Sequence, residues 1–263
     1  MASGIGGRGT FSLRFRMLHF STRSDAERGN DAMRRSNGSA RLPIFPLPVV
    51  LIPEMTLPLH IFEPRYRLML RHCLEGDRLF GVSYRADAEV GRLVVPDPES
   101  IGCAARILHV QPLADGRANI LTVGANRYRI SRYLSQDPYL LAQVEFFEDD
   151  PIEGDEQKIV MRLAAQAMAS FSRFLRALQL LHDLPERPVA LPENPERLSF
   201  TIAAAVLQQP EELQQVLELV STRARLEHVL ARLETLVGEY EERARTHVEA
   251  KRNGQRRPPV QIH

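Results

Sequence analysis

Lysine is nearly absent from this chain of 263 residues, which contains only Lys158 and Lys251. A nucleotide-binding P-loop needs a lysine directly after a glycine to reach the terminal phosphates, and neither lysine stands in a glycine-rich stretch. A serine–lysine peptidase needs a desolvated lysine on an ordered element. Because Lys158 follows several carboxylates and Lys251 lies in a basic stretch, the sequence predicts neither an ATPase nor a peptidase of this type.

The motifs of the common hydrolases are missing as well. The segment GVSYR at 81–85 lacks the second glycine of the GxSxG nucleophile elbow, and the sequence has no HExxH motif. His60 and Glu63 are three residues apart, but a proline follows at once, which predicts a strand-to-helix junction and not one helix face. We expect no catalytic residues. A hydrolase of an unrecognised type, using Ser83 or His60, stays open as an alternative.

Cysteine is scarce, with Cys73 and Cys103 as the only two. Neither belongs to a CxxC pair, which is typical of a reducing compartment and not of a disulfide-stabilised domain. Together with His72 they would hold a metal only if the fold supplied further ligands, so we expect two small core residues and no metal or other cofactor. No apolar run approaches the roughly 18 to 20 residues that span a bilayer, and we expect a cytoplasmic protein without a membrane span.

The net charge of +1 conceals an uneven distribution. Residues 1–41 carry eight arginines against three carboxylates, and residues 251–263 carry four basic residues and no acid, which leaves residues 42–250 at −8. We predict a disordered basic tail at 1–41 and a basic C-terminal tail at 251–263. The alternative for the first is a start set too early, with Met17 or Met33 as the initiator. An acidic body is a poor match for a phosphate backbone, so nucleic acid is not the expected partner.

A proline-rich apolar stretch, LPIFPLPVVLIPEMTLPLHIFEPRYRLML at 42–70, begins the folded part. Its prolines favour extended pieces at 42–47 and 49–52 and a strand at 56–62, and Pro64 suits the first position of a helix that continues to Leu74. Further strands are predicted at 78–84, 101–110, 117–123, 127–130 and 140–147, with turns at 115–116 and 124–126. Short strands with a single helix favour a compact β-barrel over residues 42–150.

Helical periodicity dominates residues 151–250, where we predict helices at 155–181, 199–208, from 210 onward, and at 222–250. The apolar stripe of the first helix comprises Ile159, Leu163, Ala167, Phe171, Phe174, Leu178 and Leu181. The last helix carries a seam spaced by four and three, made of Leu226, Leu230, Leu233, Val237, Tyr240 and Ala244. This seam either packs within its own bundle or supports a homo-oligomer. The predicted fold class is α+β, a small β-barrel with one helix followed by a C-terminal helical bundle ending in a long helix.

Three segments resemble, in the same order, the N-terminal substrate-binding domain of the Lon ATP-dependent proteases. They are the stretch at 42–70, VGANRYRI at 123–130 and LQQVLELVSTRARLEHVLARLE at 213–234. The sequence is more similar still to stand-alone bacterial proteins with only this domain, and the likeness covers about residues 42–245. It implies a PUA-like barrel and a helical bundle without the ATPase and Ser-Lys peptidase modules. It also implies a non-catalytic module that binds unfolded or tagged polypeptides, with a Lon-type protease as partner, as an adaptor or regulator of ATP-dependent proteolysis.

The candidate peptide-binding surface comprises His60, Phe62, Arg65, Tyr66, Arg127 and Tyr128. Arginine and tyrosine are favoured at binding surfaces because they combine apolar area with directed hydrogen bonds, and an exposed sheet edge can accept an extended peptide as an added strand. Each residue has a structural role as the alternative to binding. Phe62 and Tyr66 would close the barrel, and Arg65 and Arg127 would each pair with a carboxylate such as Glu63. An RNA-binding protein is a second hypothesis, because PUA-like barrels often bind RNA, and the −8 body counts against it.

Overall fold

The computed structural model describes residues 38–254 and contains six strands and five helices in that range. The strands are β1 (Ser39–Leu47), β2 (Thr56–Ile61), β3 (Leu79–Tyr84), β4 (Ile101–Pro112), β5 (Ala118–Ser135) and β6 (Leu140–Phe147). The helices are α1 (Pro64–Glu75), α2 (Asp155–Leu181), α3 (Pro195–Val206), α4 (Pro210–Glu218) and α5 (Thr222–Gly254). The tails predicted at 1–41 and 251–263 lie outside the described residues, except that 39–41 belong to β1 and 251–254 to α5.

The strands pair in the order β2-β5-β4-β3-β1-β6, and β6 also pairs with β5. The pairings therefore form a closed ring through β1, β3, β4, β5 and β6, and β2 extends the sheet from β5. Only the β1–β3 pair is parallel among the described pairings. All five ring strands contribute to one buried cluster, made of Leu42, Ile44, Leu79, Ala104, Tyr128, Ile130, Leu140, Ala142 and Val144.

The strand β5 joins the two parts of this sheet. Its first half pairs with β2 and its second half with β6, while β4 pairs along both. The turn predicted at 124–126 is wrong, because β5 continues through these residues. Gly124 has a packing role instead: a Cβ at this position would clash with the carbonyl oxygen of Ile52 in the segment before β2, so the glycine permits the close approach of two backbones.

The helix α1 forms as the sequence predicted. Pro64 occupies its first turn, and the backbone N–H of Gly76 caps its end by donating to the carbonyl of Cys73. Its buried side chains, spaced three and four residues apart, are Tyr66, Met69, Leu70 and Cys73. Helix α1 packs on the sheet, where the ring centroids of Tyr66 and Phe45 are 4.0 Å apart.

Helices α2 and α5 pack along each other. The Phe174 and Tyr240 rings meet edge to face at 5.1 Å, and Arg173 binds Glu241 at 2.7 Å. The predicted seam of α5 is confirmed as its packed side, with Tyr240 half-buried and the other members buried. In the first half of α2 the fully buried residues are Val160 and Ala164, while the predicted Ile159 and Leu163 are half-buried and Leu163 packs against the core.

Helix α3 begins at Pro195, four residues before the predicted start at Ser199. The side chain of Asn194 caps it by accepting a hydrogen bond of 3.0 Å from the backbone N–H of Arg197. A proline at the first helical position costs no hydrogen bond, which is why this helix can start inside a proline-rich connection.

The sheet and the helices share one hydrophobic core. The largest buried cluster includes Phe45 and Phe80 of the sheet together with Phe171, Phe200 and Leu226 of the helices. Helices α2, α3 and α5 thus complete a core that the sheet begins. No helix between residues 38 and 254 combines the length and apolar content needed to cross a membrane.

Candidate functional site

The face of β2, β5 and β4 that points away from the core forms the main candidate surface, here called the outer sheet face. Residues directly opposite each other in antiparallel strands project to the same side. Two cross-strand rows define the face, His60–Asn119–Gln111 and Pro58–Leu121–His109. The alternate residues of β2 turn the other way, where Ile61 is buried and Leu57 and Leu59 pack against the core.

A polar row ends in an aromatic stack on this face. Asn119 accepts a hydrogen bond of 2.7 Å at Oδ1 from Nδ1 of His60, and its Nδ2 donates to Oε1 of Gln111 at 3.3 Å. The Phe62 ring stacks on the His60 imidazole with centroids 5.7 Å apart. Since 40% of Phe62 is exposed, the predicted pair His60 and Phe62 presents both apolar area and hydrogen-bonding atoms to solvent.

The middle of the outer sheet face is apolar. Leu121 and Val123 are half-buried, and neither packs against the two buried clusters of the described residues. Leu108, in the register shift of β4 beside His109, is 44% exposed. An apolar strip with polar side chains along its rim is the composition of a protein-binding surface.

Arg65 lies at the start of α1, at a junction between elements. Its Nη2 donates to Oε2 of Glu63 at 2.7 Å and to the carbonyl oxygen of Arg92 at 3.0 Å, and its guanidinium lies 4.7 Å from the Tyr66 ring centroid. The predicted alternative for Arg65, an ion pair with Glu63, is confirmed. Arg65 therefore ties the helix to the segment after β3 and leaves 18% of its side chain exposed.

Tyr66 and Tyr128 are inside the protein. Tyr66 packs on Phe45 under α1, and burial raises its pKa. Tyr128 is fully buried, its hydroxyl lies 2.8 Å from Oγ of Ser83, and burial raises its pKa as well. Glycine at 81 makes room for it, because a Cβ there would lie 2.6 Å from the phenol oxygen.

Arg127 is also buried, in a network that links the sheet to the helices. It donates to Asp149 and to the carbonyl oxygens of Leu217 and Leu219. Its predicted partner was a carboxylate such as Glu63, and the observed one is Asp149, which follows β6. Burial lowers the pKa of Arg127, and the nearby Asp149 opposes that shift.

Arg225, in the first turn of α5, completes this network. It donates from Nη1 to Oδ1 of Asp149 at 3.1 Å and from Nε to Oγ of Ser199 at 2.7 Å. Its guanidinium stacks on the Phe200 ring, 3.8 Å from the centroid. Two arginines thus share one carboxylate in the interior between β5, β6, α3 and α5.

The structure divides the six candidate residues into two groups. His60 and Phe62 lie together on the outer sheet face, with Arg65 close by in sequence at the start of α1. The side chains of Tyr66, Arg127 and Tyr128 are buried at 5%, 2% and 0% exposure, so they do not line this surface. The six residues do not form one groove.

A cleft of about 300 Å³ lies between the sheet and α3. Its lining residues are Pro53, Glu54, Ala125, Asn126, Arg127, Phe147, Glu148, Glu196, Arg197 and Phe200. Arg197 binds Glu54 across it, with hydrogen bonds of 2.9 and 3.2 Å. The side-chain oxygen of Asn126 is buried and has no hydrogen-bond partner within residues 38–254.

In the described part of the chain, the side chains that a hydrolase would use have other partners. Ser83 bonds Tyr128, and the Lys158 ammonium pairs with Asp155 at 2.9 Å with 84% of its side chain exposed. Burial raises the pKa of the Cys73 thiol to about 12. No three His, Cys, Asp or Glu side chains in residues 38–254 are arranged to hold a metal ion.

The sequence alone did not identify several residues of the outer sheet face, the cleft and the network around Asp149. Asn119 and Leu121 lie in a strand that was predicted, and its register against β2 would have placed them beside His60. Asn126 was missed because 124–126 resembles a turn. Arg225 looks like any other arginine of α5, since nothing in the helical pattern marks it as buried.

Comparison with known proteins places this chain in a family. The model of the ATP-dependent protease La (LON) substrate-binding domain matches residues 41–235. The Lon protease of Escherichia coli K12 is 27% identical over 197 residues, which are 74% of this chain and 24% of that protein. Lon protease 2 of Syntrophobacter fumaroxidans is 26% identical over 205 residues, 78% of this chain and 25% of that protein. The chain thus spans about a quarter of the length of these curated relatives.

Two solved structures share the α+β fold. A Lon N-terminal domain protein from Xanthomonas campestris is 24% identical with a TM-score of 0.51, covering 73% of this chain and 98% of that one. The N-terminal domain of the Mycobacterium avium complex Lon protease is 18% identical with a TM-score of 0.53, covering 74% of this chain and 98% of that one. The resemblance predicted from three sequence segments is confirmed, and the chain belongs to the family of the Lon substrate-binding domain.

Proposed function

We propose that this protein is a non-catalytic module that binds unfolded or tagged polypeptides through the outer sheet face. The observation that carries the proposal is the exposed stack of His60 and Phe62 on the same face as the half-buried Leu121 and Val123, which lie further along β5 and outside both hydrophobic clusters. An unfolded chain exposes apolar side chains together with backbone polar groups. The outer sheet face offers an apolar strip to the apolar side chains of such a chain. It offers the row His60–Asn119–Gln111 to the backbone polar groups.

The free edge of β2 is a poorer site than the face. Met55 accepts from the backbone N–H of Gly124 at 2.9 Å, and hydrogen-bonding residues alternate along an antiparallel strand. Leu57 and Leu59 are therefore the residues that bond β5, and Pro58 faces the free edge. Proline has no N–H to donate, so it blocks the continuous ladder that an added strand needs. Binding through side chains of the face is favoured over strand addition.

Membership of the family supports a proposal about the wider role. We propose that the protein acts as an adaptor or regulator of ATP-dependent proteolysis in the cytoplasm, with a Lon-type protease as its partner. In this proposal residues 42–150 form a PUA-like barrel that recognises the polypeptide, supported by the closed ring of pairings and its buried cluster. Residues 151–250 form the helical bundle that the network around Asp149 anchors to it.

Self-association through α5 is a further part of this proposal. The seam of α5 is already covered by α2, so a homo-oligomer would use the far end of the helix pair. There Val248 is 46% exposed and Leu180 is 48% exposed, and His247 of α5 binds Asp183, which follows α2.

Binding of a labelled, reduced and carboxymethylated polypeptide to the full chain tests the proposal. Fluorescence anisotropy should show saturable binding of this unfolded probe and none of the same polypeptide in its native, disulfide-bonded form. Adding the chain to a Lon protease that degrades the probe should change the degradation rate. The absence of both effects would contradict the proposal, and salt-dependent RNA binding that survives removal of 1–37 and 255–263 would replace it.

A further inference from the structure

The cleft between the sheet and α3 begins where the outer sheet face ends. Thr56 and Val123 are the last opposed pair of β2 and β5. Glu54 and Ala125, each two residues beyond that pair, line the cleft. His60 is four residues further along β2, about 13 Å away at the rise of a strand. A polypeptide lying on the face can therefore reach the cleft.

The donors of the cleft are already used by the protein. Arg127 binds Asp149 and the carbonyl oxygens of Leu217 and Leu219. Arg197 uses Nε and Nη2 for Glu54. The two guanidinium groups of the lining thus direct hydrogen bonds into the protein.

The acceptors of the cleft point to a donor ligand. Oδ1 of Asn126 is buried without a partner among the described residues, and a buried acceptor without a donor costs free energy. The lining holds three carboxylates, those of Glu54, Glu148 and Glu196, against two guanidinium groups. A group that donates N–H bonds and carries positive charge satisfies both conditions.

We propose that the cleft receives the cationic, N–H-donating group of a bound polypeptide, which is its amino terminus or a lysine or arginine side chain. A cleft of about 300 Å³ is at the small end of ligand pockets, so it accommodates one such group and not a folded segment. This inference rests on the proposed function. It adds a preference for the sequence of the bound polypeptide: an apolar stretch that binds the outer sheet face, next to a positively charged group that binds in the cleft.

Four forms of one apolar synthetic peptide without other basic residues test the inference by anisotropy. The forms have a free amino terminus, an acetylated terminus, an acetylated terminus with one lysine, and the last form with that lysine also acetylated. We expect the best charged form to bind about tenfold more tightly than its acetylated counterpart, because a charge-assisted hydrogen bond is gained. Comparing the first and third forms shows which source of charge the cleft takes.

Variants locate the effect. Glu148 is exposed, so Glu148→Gln leaves the core intact and should reduce the preference for the charged forms. Asn126→Leu should remove most of that preference. Glu145→Gln is the matched control, an exposed carboxylate on β6 that does not line the cleft, and it should keep the preference.

The outcomes separate the two proposals. Equal binding of all four forms, or a preference unchanged in both cleft variants, would overturn the inference and leave the proposed function standing. Binding of none of the forms, together with no binding of the unfolded probe, would overturn both.

Discussion

Arg225 and Asp149 form an ion pair in the interior of the protein, with Nη1 and Oδ1 3.1 Å apart. Their side chains are 0% and 6% exposed, and Arg127 binds the same carboxylate. One aspartate after β6 thus holds the middle of β5 and the start of α5. Because an unpaired buried charge is costly, this carboxylate fixes the position of the helices on the sheet.

Replacing Asp149 with asparagine should therefore destabilise the protein strongly. The change leaves two buried guanidinium groups without their counterion, and breaking a buried pair costs about 3–5 kcal/mol. Urea unfolding measures the loss. Asp155→Asn is the control, because Asp155 is 92% exposed in its pair with Lys158. It should lower the midpoint far less, since only a surface pair and a helix-dipole contribution are lost. Equal midpoints for the two variants would show that the interior pair has no such role.

Two glycine-to-alanine changes should shift stability in opposite directions. At Gly124 the new Cβ meets the carbonyl oxygen of Ile52, and an overpacked site typically loses about 1–3 kcal/mol. At Gly238, within α5, a Cβ meets nothing within 4 Å, and alanine should add about 0.5–1 kcal/mol through helix propensity. Thermal unfolding of both variants checks the pair, and a tolerated alanine at 124 would contradict the close approach.

The free energy of unfolding should fall in alkaline solution. Burial raises the pKa of Cys73 from 9.0 to about 12 and also raises the pKa of Cys103. In the unfolded chain these thiols ionise near their ordinary pKa, while the folded protein keeps them neutral. Below about pH 9 the thiols are neutral in both states and do not lower the free energy of unfolding. Above that pH the unfolded chain is favoured by thiol ionisation, and the free energy of unfolding declines by about 1.4 kcal/mol per pH unit for each thiol.

Urea unfolding over a series of alkaline buffers measures this decline. Cys73→Ala serves as the control, since it removes the contribution of one thiol and should flatten the curve. A free energy of unfolding that stays constant well above the ordinary thiol pKa would mean that both thiols ionise in the folded state, against their burial.

The sequence predicted those elements that are specified by local signals. β6 at Leu140–Phe147 and α2 at Asp155–Leu181 lie at the predicted bounds, because clear turn and linker residues flank them. Gly124 was wrongly assigned to a turn, because glycine occurs both in turns and in strands where another backbone approaches closely. The start of α3 at Pro195 was missed because its capping residue lies among prolines that also suit a loop.

The sites were less predictable than the elements, for a physical reason. His60 and Phe62 lie at the surface, and their position on β2 could be read from the alternation of that strand. Tyr128 and Arg127 are adjacent in the same motif, yet both are buried, one in the ring cluster and the other against Asp149. Burial of an arginine depends on partners distant in sequence, such as Asp149, and a single sequence does not show that pairing.

The measurement that tests the central claim most directly is the affinity of the full chain for the unfolded probe after Phe62→Ser. Phe62 is 40% exposed on the outer sheet face, whereas Val90, for the control Val90→Ser, is 72% exposed between β3 and β4. We expect Phe62→Ser to weaken binding about tenfold, as for an aromatic hot spot, while the variant still unfolds cooperatively in urea and Val90→Ser keeps the wild-type affinity. Equal affinity of wild type, Phe62→Ser and Val90→Ser would show that the polypeptide does not bind at the outer sheet face.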